Sequence, residues 1–292
     1  MRLATEHDYR RRTARVAEHL AAHLDAPLDL DRLAAIACFS PAHFHRIYTA
    51  VTGETVADTV RRLRLHRASG ELRENRLPLE RIATRAGYGS LAAFSRAFKT
   101  AYGLPPARWR DARRPEVPLG LPLCGVNTMS SSTALPVEIR DLPSLRLAVV
   151  PHVGPYMEIG RAFETLAGIA GPAGLFRADT ATIGVYLDDP AAVPASRLRA
   201  EAGLTVADAV PLPAGLGERR LPGGRHAVWT HRGPYVDLEE AYRRLYGEWL
   251  PASGEEAADR PCFEIYLNDP RTTAPLDLVT EICLPLAPRA VG

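Results

Sequence analysis

The sequence has few cysteines and little that would mark a secreted, membrane or metal-binding protein. Its four cysteines, Cys38, Cys124, Cys262 and Cys283, lie far apart, and this spacing fits neither a disulfide framework nor a zinc site. The N-terminal residues lack the apolar core of a signal peptide. No run approaches the roughly 18 apolar residues that a membrane span needs. We therefore expect a reduced, soluble, cytoplasmic protein without a metal site.

The net charge is small, but it is unevenly distributed. The chain has 292 residues and a formal net charge of +2. Residues 1–114 contain 21 basic and 12 acidic side chains, whereas residues 115–292 contain 15 and 22, so the two parts carry +9 and −7. A basic half beside an acidic half is typical of a polyanion-binding domain fused to a second domain of another function.

Residues 29–53 and 79–103 each have the pattern of a helix-turn-helix motif. When Ser40 is aligned with Ser90, the matched pairs are Phe44 and Phe94, Arg46 and Arg96, Tyr48 and Phe98, and Gly53 and Gly103. Each copy has a short apolar helix, a tight turn, a serine at the N-cap position and a second helix that ends at glycine. Such a motif inserts its second helix into a DNA major groove. Residues 1–111 are therefore predicted to form an all-α domain that reads two successive groove segments.

The second helix of each motif is predicted to expose a different set of side chains. Burial of Phe44, Ile47, Tyr48 and Val51 leaves one face outward, made of Ala42, His43, His45, Arg46 and Thr49. In the second motif the outward set is Leu91, Ala92, Ser95, Arg96 and Lys99. Leu91 and Ala92 cannot hydrogen bond to a base, so we expect mainly phosphate contacts from this motif. The alternative is a solvated helix face unrelated to DNA.

Residues 112–134 are rich in proline, glycine and serine and are predicted to be a linker, after which an internal repeat begins. The repeated segments are His152–Tyr156 with His231–Tyr235, Tyr186–Pro190 with Tyr266–Pro270, and Glu201 with Glu281. Each copy is predicted to contain a strand, a Gly-Pro-Tyr turn, a helix and two strands. Residues 135–289 thus predict an α+β domain of duplicated β-α-β-β units with pseudo-twofold symmetry, both helices on one side of the sheet and a ligand cleft at the seam.

Aromatic and acidic residues of this domain point to a ligand pocket. A carboxylate among apolar strand residues is costly to bury unless it is paired, protonated or met by a cation, and aromatic rings add ~0.5–2 kcal/mol of cation–π attraction. We therefore predict a hydrophobic or cationic aromatic ligand. The alternative is that Glu281 pairs with an arginine such as Arg146 or Arg225 and that Trp229 is a core residue. The predicted ligand-binding residues are Tyr156, Tyr186, Trp229, Tyr235, Glu264, Tyr266 and Glu281.

Two histidines occupy equivalent positions before the Gly-Pro-Tyr turns. His152 and His231 are interpreted as strand ends that bond the following loop, with metal ligation or general-base chemistry as the alternative. The turns lack the several glycines of a phosphate-binding loop, so no nucleotide cofactor is expected.

The N-terminal motifs carry a resemblance to a known family. Residues 10–110 resemble the AraC/XylS-type DNA-binding domain, most specifically in Phe94–Lys99, Tyr102–Pro106 and Trp109–Arg110. The resemblance implies DNA contacts from Ala42, His45, Arg46, Ala92, Ser95, Arg96 and Lys99. At the position of Ala42, members of the family often carry a larger side chain.

Residues 135–287 resemble a GyrI-like effector-binding domain. The two Gly-Pro-Tyr turns, the paired Tyr-Leu-x-Asp-Pro motifs and Thr280–Ile282 carry this resemblance. It implies a pocket glutamate beneath aromatic walls. The order of the two domains resembles the Rob type of regulator.

Together these observations predict a non-enzymatic, nucleoid-associated transcription regulator that binds promoter DNA and a small-molecule effector and contacts RNA polymerase. A first alternative is a hydrolase of reactive small molecules, with Glu281 as base, Tyr156 or Tyr235 as helper and Trp229 as a wall. A second is a C-terminal domain that docks a protein partner without binding a ligand.

Overall fold

The computed structural model describes residues 2–111 and 135–288, so the predicted linker lies outside the described residues. The N-terminal domain is helical, as predicted. Its helices are α1 (Arg2–Ala22), α2 (Leu30–Ala37), α3 (Pro41–Thr52), α4 (Val56–Glu74), α5 (Leu79–Arg85), α6 (Leu91–Tyr102) and α7 (Pro106–Asp111). Within the described part of the chain, no helix is both long and apolar enough to cross a membrane.

Helices α2–α3 and α5–α6 form the two predicted helix-turn-helix motifs. Gly53 and Gly103 both have φ of 77° and end α3 and α6 in the left-handed conformation that favours glycine. Ser90 caps α6, because its hydroxyl accepts a 3.2 Å hydrogen bond from the Ala93 amide. The Ser40 hydroxyl instead donates to Asp259 of the C-terminal domain at 2.7 Å. The two motifs therefore differ at the N-terminus of their second helix, which is the helix predicted to enter DNA.

The C-terminal domain is built on one eight-stranded antiparallel sheet of order β1-β6-β8-β7-β3-β4-β2-β5. The strands are β1 (Val137–Leu142), β2 (Leu145–Val153), β3 (Thr182–Tyr186), β4 (Arg199–Thr205), β5 (Gly217–Leu221), β6 (Gly224–Arg232), β7 (Cys262–Tyr266) and β8 (Val279–Pro285). Exchanging β1–β4 with β5–β8 reverses this order onto itself. The sheet therefore has the predicted pseudo-twofold symmetry, with its axis between β3 and β7.

Each repeat is longer than predicted, because an extra strand precedes the β-α-β-β unit. These strands, β1 and β5, lie at the two edges of the sheet, and each pairs with a strand of the other repeat. Their segments Val137–Leu142 and Gly217–Leu221 are largely exposed and rich in charge. Charged edge strands protect a sheet from pairing with other chains, but they lack the apolar alternation from which strands are predicted.

The helices of the C-terminal domain pack on one face of the sheet. Helix α8 (Gly160–Ala170) belongs to the first repeat, and the second repeat contains α9 (Leu238–Arg244), a π-helical segment (Leu245–Trp249) and α10 (Leu250–Ser253). Short 3₁₀ turns at Tyr156–Glu158 and Tyr235–Asp237 begin at the tyrosines of the two Gly-Pro-Tyr motifs. The opposite face carries a separate apolar core that includes Leu147, Val185, Phe263 and Cys283.

The first helix-turn-helix unit and the second repeat share one continuous apolar core. This core joins Phe44, Ile47 and Tyr48 of α3 to Leu245 and Tyr246 of the π-helical segment. Polar contacts reinforce it, and the Tyr9 hydroxyl donates to the Glu255 carbonyl at 3.1 Å. The second helix-turn-helix unit has its own core around Phe94, Phe98 and Trp109. The C-terminal domain is therefore packed against the first motif and leaves the second with a separate core.

Candidate effector site

A cavity of about 1430 Å³ lies above the seam between β3 and β7. Helices α8 and α9 flank it, and the two Gly-Pro-Tyr motifs contribute Tyr156 and Tyr235. The volume exceeds the roughly 300–1,000 Å³ of most small-molecule sites. The cavity therefore occupies the pseudo-twofold seam where the repeat predicts a ligand.

The symmetry of the cavity is broken on its axis by one residue. Gly184 of β3 lies directly opposite Glu264 of β7 in the antiparallel register. The two positions are equivalent in the repeat, since Tyr186 and Tyr266 are equivalent two residues further along. A Cβ atom at Gly184 would lie 2.7 Å from the Tyr266 hydroxyl. The first repeat thus provides space where the second provides a carboxylate.

Glu264 is held by tyrosine hydroxyls at the floor of the cavity. Its side chain is 2% exposed. The Tyr266 hydroxyl donates to one carboxylate oxygen at 2.9 Å, and the Tyr242 hydroxyl donates to the other at 3.1 Å. Burial raises the pKa of Glu264 to about 7, although these hydrogen bonds act in the opposite direction. The carboxyl group is therefore poised to ionise near neutral pH.

Aromatic rings form the walls around this carboxyl group. The Tyr156 and Tyr186 rings meet edge to face at 4.8 Å, and Tyr266 makes similar contacts with Phe163 at 5.6 Å and Tyr235 at 5.5 Å. The Tyr186 and Tyr266 hydroxyls lie 2.7 Å apart. Such rings attract organic cations through their π-electron faces. The arrangement of one buried carboxyl group beneath aromatic walls suits a hydrophobic cation.

Five of the seven predicted ligand residues lie together in this cavity: Tyr156, Tyr186, Tyr235, Glu264 and Tyr266. Trp229 and Glu281 lie outside its lining. Trp229 is 8% exposed and packs in the apolar core, with the Arg244 guanidinium 5.8 Å from its ring. Neither Trp229 nor Glu281 therefore lies where its predicted role in ligand binding or in hydrolysis would require it to be.

Glu281 is part of a duplicated ion pair. Its carboxylate accepts a 2.6 Å hydrogen bond from Arg140 of β1. The equivalent Glu201 accepts a 2.7 Å hydrogen bond from Arg219 of β5. Each pair crosses one intervening strand, β6 or β2, to tie an edge strand to the sheet. Glu281 therefore pairs with an arginine, as the alternative prediction states, but that arginine is Arg140 and not Arg146 or Arg225.

The interpretation of the two histidines as residues that bond the following loop does not describe His231, whose buried Nε2 atom has no hydrogen-bond partner among the described residues, but it agrees with the structure for His152. The His152 Nε2 atom lies 3.0 Å from the Pro155 carbonyl oxygen. This contact closes the Gly-Pro-Tyr turn onto the end of β2 and so helps to position Tyr156. The Tyr156 hydroxyl in turn donates to the Asp188 carbonyl at 2.8 Å.

The predicted DNA-binding residues have two different environments. On α6, Ala92, Arg96 and Lys99 are exposed and Ser95 is half-buried. On α3, Ala42 is exposed, whereas the side chains of His45 and Arg46 retain only 9% and 13% of their exposure. The predicted outward face of α3 is therefore largely covered, because the C-terminal domain packs against it.

His43 is the most deeply covered residue of that face. It is 1% exposed, and its Nδ1 atom lies 2.7 Å from the Tyr246 hydroxyl. Burial lowers the pKa of His43 to about 4, so the ring is neutral at pH 7. The prediction that His43 points outward is wrong for this conformation, because Tyr246 supplies a buried polar partner.

Tyr242 and Arg46 line the cavity although neither is predicted as a ligand residue. The Tyr242 hydroxyl reaches Glu264. Arg46, from the DNA-binding domain, also lines the cavity. A sequence signal existed for Tyr242, since the repeat aligns it with the aromatic Phe163. Arg46 gave no such signal, because its place depends on how the two domains pack.

Comparisons with known proteins agree with both family resemblances. Residues 135–287 match the GyrI-like small molecule binding domain, and residues 33–112 match a helix-turn-helix domain. A DNA gyrase inhibitor of Yersinia enterocolitica is 34% identical over 131 residues, which cover 43% of this chain and 82% of the relative. The probable transcriptional regulator YgiV of Escherichia coli is 29% identical over 159 residues, which cover 54% of this chain and 99% of the relative.

The N-terminal domain has relatives of its own. The right origin-binding protein of Escherichia coli is 38% identical over 97 residues, which cover 33% of this chain and 33% of that protein. The chain thus belongs to the family of GyrI-like small-molecule-binding domains, joined here to an AraC-type helix-turn-helix domain.

Proposed function

We propose that the chain is a DNA-binding transcription regulator whose effector is a hydrophobic or aromatic cation bound at Glu264. The observation that carries this proposal is the buried carboxyl group of Glu264 beneath tyrosine walls in a large cavity. An organic cation offers both a positive charge that pairs with the carboxylate and an apolar surface that the aromatic rings contact.

The DNA contacts in this proposal come from both helix-turn-helix motifs. Arg46 and Arg96 occupy matched positions and bind guanine or phosphate, and Lys99 binds phosphate. Ala42, His45, Ala92 and Ser95 complete the two DNA-facing surfaces. When it is bound to promoter DNA, the protein contacts RNA polymerase. Transcription in vitro, with and without the effector, tests this contact.

The ligand proposal is tested by replacing Glu264 with its neutral isostere. Tetraphenylphosphonium serves as the probe, and triphenylphosphine oxide serves as its uncharged aromatic counterpart. In calorimetry, Glu264→Gln is expected to weaken phosphonium binding by about tenfold or more, since one desolvated charge contact contributes more than about 1.4 kcal/mol. Binding of the phosphine oxide is expected to change little.

Glu281→Gln is the matched control, because it makes the same chemical change outside the cavity. Its affinity for the phosphonium is expected to stay within about twofold of the wild-type value. This is well below the tenfold change, equivalent to ~1.4 kcal/mol, that is expected for Glu264→Gln. Equal losses in both variants, or none in Glu264→Gln, would contradict the assignment of Glu264.

A second candidate function is hydrolysis of small electrophiles, and the pKa of about 7 at Glu264 favours it. A general base works best when its pKa lies near the operating pH. Glu264 then replaces Glu281 as the base, with the Tyr266 hydroxyl beside it. Turnover of a small epoxide that Glu264→Gln abolishes would support this function over that of a sensor.

A further inference from the structure

The first DNA-reading helix, α3, is held by acidic groups of the C-terminal domain. The His45 Nδ1 atom lies 2.8 Å from an Asp189 carboxylate oxygen. Asp259 accepts hydrogen bonds from the Ser40 hydroxyl at 2.7 Å and from the Ala42 amide at 3.2 Å. DNA phosphates bind helix N-termini and basic side chains in the same way. The two carboxylates therefore occupy the kinds of site that phosphates would use.

Arg46 extends from this helix into the effector cavity. It donates to the Asp188 carbonyl at 2.9 Å, and its guanidinium carbon lies 5.0 Å from the Tyr242 ring centroid and 5.8 Å from that of Tyr246. Tyr242 is the residue whose hydroxyl holds Glu264. The guanidinium group therefore rests on part of the aromatic wall that a cationic ligand would use.

We propose that Arg46 is a resident cation of the effector cavity, and that a bound organic cation displaces it and releases α3 to DNA. This inference rests on the proposed function and adds the direction of the response, which is that the effector increases DNA binding. Two cations in one desolvated cavity repel each other. When the ligand takes the tyrosine wall, Arg46 loses its contacts with the Tyr242 and Tyr246 rings. Because Arg46 and His45 lie on the same helix, release of that helix also separates His45 from Asp189, and both side chains become available to a major groove.

The ligand side of this inference is tested by phosphonium binding without DNA. Arg46→Gln removes the resident charge and is expected to tighten tetraphenylphosphonium binding by about fivefold or more, the lower range of allosteric coupling. Arg96→Gln, at the matched position of the exposed helix α6, is expected to leave the affinity unchanged. Arg46→Lys keeps the positive charge and is expected to bind the phosphonium more weakly than Arg46→Gln does.

The DNA side is tested with duplexes selected from a random pool by the full-length protein. The double variant Asp189→Asn with Asp259→Asn is expected to bind the selected duplex about fivefold or more tightly without ligand. It is also expected to respond less to the phosphonium. Asp269→Asn is the control at the equivalent position of the other repeat, because Asp269 corresponds to Asp189 and pairs with Arg271.

The outcomes separate this inference from the proposed function. If the phosphonium does not bind the wild-type protein, the proposed function fails. If it binds, but Arg46→Gln binds it no more tightly than Arg96→Gln, the inference is overturned and the effector site stands. Equal DNA affinities of the double variant and Asp269→Asn would overturn it as well, and circular dichroism of each variant verifies the fold.

Discussion

At the scale of single residues, Glu264 makes effector binding depend on pH. Its folded-state pKa of about 7 lies above the ordinary value of 4.5, because burial disfavours the charged form. A carboxyl group with a raised pKa is protonated as the pH falls through 7, and it then loses its attraction for a cation.

We therefore expect tetraphenylphosphonium affinity to rise as the pH is increased from 6 to 8. The phosphonium charge is permanent, so this dependence reports the protein alone. Titrations at several pH values measure it, and the dependence is expected to be absent in Glu264→Gln. A flat profile in the wild-type protein would place the ionisation of Glu264 outside this range.

Residue by residue, the repeat distinguishes structural from functional acids. Glu201 and Glu281 occupy equivalent positions in the two copies, and each makes an ion pair with an edge strand. Glu264 has glycine at its equivalent position and makes the asymmetric contact at the axis. A sequence alignment of the two copies contains this difference. The prediction for Glu281 relied instead on strand alternation, which cannot show that Arg140 lies two strands away.

At the scale of elements, strand β3 is shaped to accommodate the tyrosines of both repeats. A Cβ atom at Gly184 would lie 2.7 Å from the Tyr266 hydroxyl and 3.1 Å from the Tyr186 ring. Both tyrosines belong to the cluster around Glu264, so neither can shift without moving its hydrogen-bonding partner.

Gly184→Ala is accordingly expected to lower the free energy of unfolding by about 1–3 kcal/mol, the usual range for overpacking a core, and to weaken phosphonium binding. Gly168→Ala on helix α8 is the matched control, since a Cβ atom there meets nothing within 4 Å. The control is expected to be neutral or stabilising by about 0.5–1 kcal/mol. Denaturant unfolding and calorimetry measure both effects, and similar behaviour of the two variants would contradict this account.

The same scale shows which elements were predictable. Helices α3 and α6 begin and end where serine, proline and glycine predict, because capping is decided by neighbouring residues. Strands β1 and β5 were missed, because charged edge strands carry little apolar periodicity. Their pairing across the two repeats is a property of the whole sheet.

At the scale of the whole molecule, the packing of the two domains could not be predicted from helix periodicity. A polar helix face facing DNA and one facing an acidic domain have the same pattern. The contacts that decide between them, from His45 to Asp189 and from Ser40 to Asp259, join residues far apart in sequence. The charges of +9 and −7 on the two parts of the chain are compatible with this attraction.

The salt dependence of DNA binding is expected to report this packing. Each phosphate contact contributes about 0.9 to the slope of log affinity against log salt concentration. In the conformation described, α6 is free to meet phosphates and α3 is largely covered. Addition of tetraphenylphosphonium is therefore expected to steepen the slope by at least one such contact. An unchanged slope, measured by fluorescence anisotropy over a range of salt concentrations, would indicate that the same phosphates are contacted in both states.

The pairing of Gly184 with Glu264 on the pseudo-twofold axis has a consequence for how such a site can arise. Two identical half-length chains related by a true twofold axis would place either two glutamates or two glycines there. The first would set two buried carboxyl groups against each other, and the second would leave no charge for a ligand. Joining both copies in one polypeptide allows the two positions to diverge. The covalent connection between the repeats is thus what permits a symmetric scaffold to hold a single ionisable group at its centre.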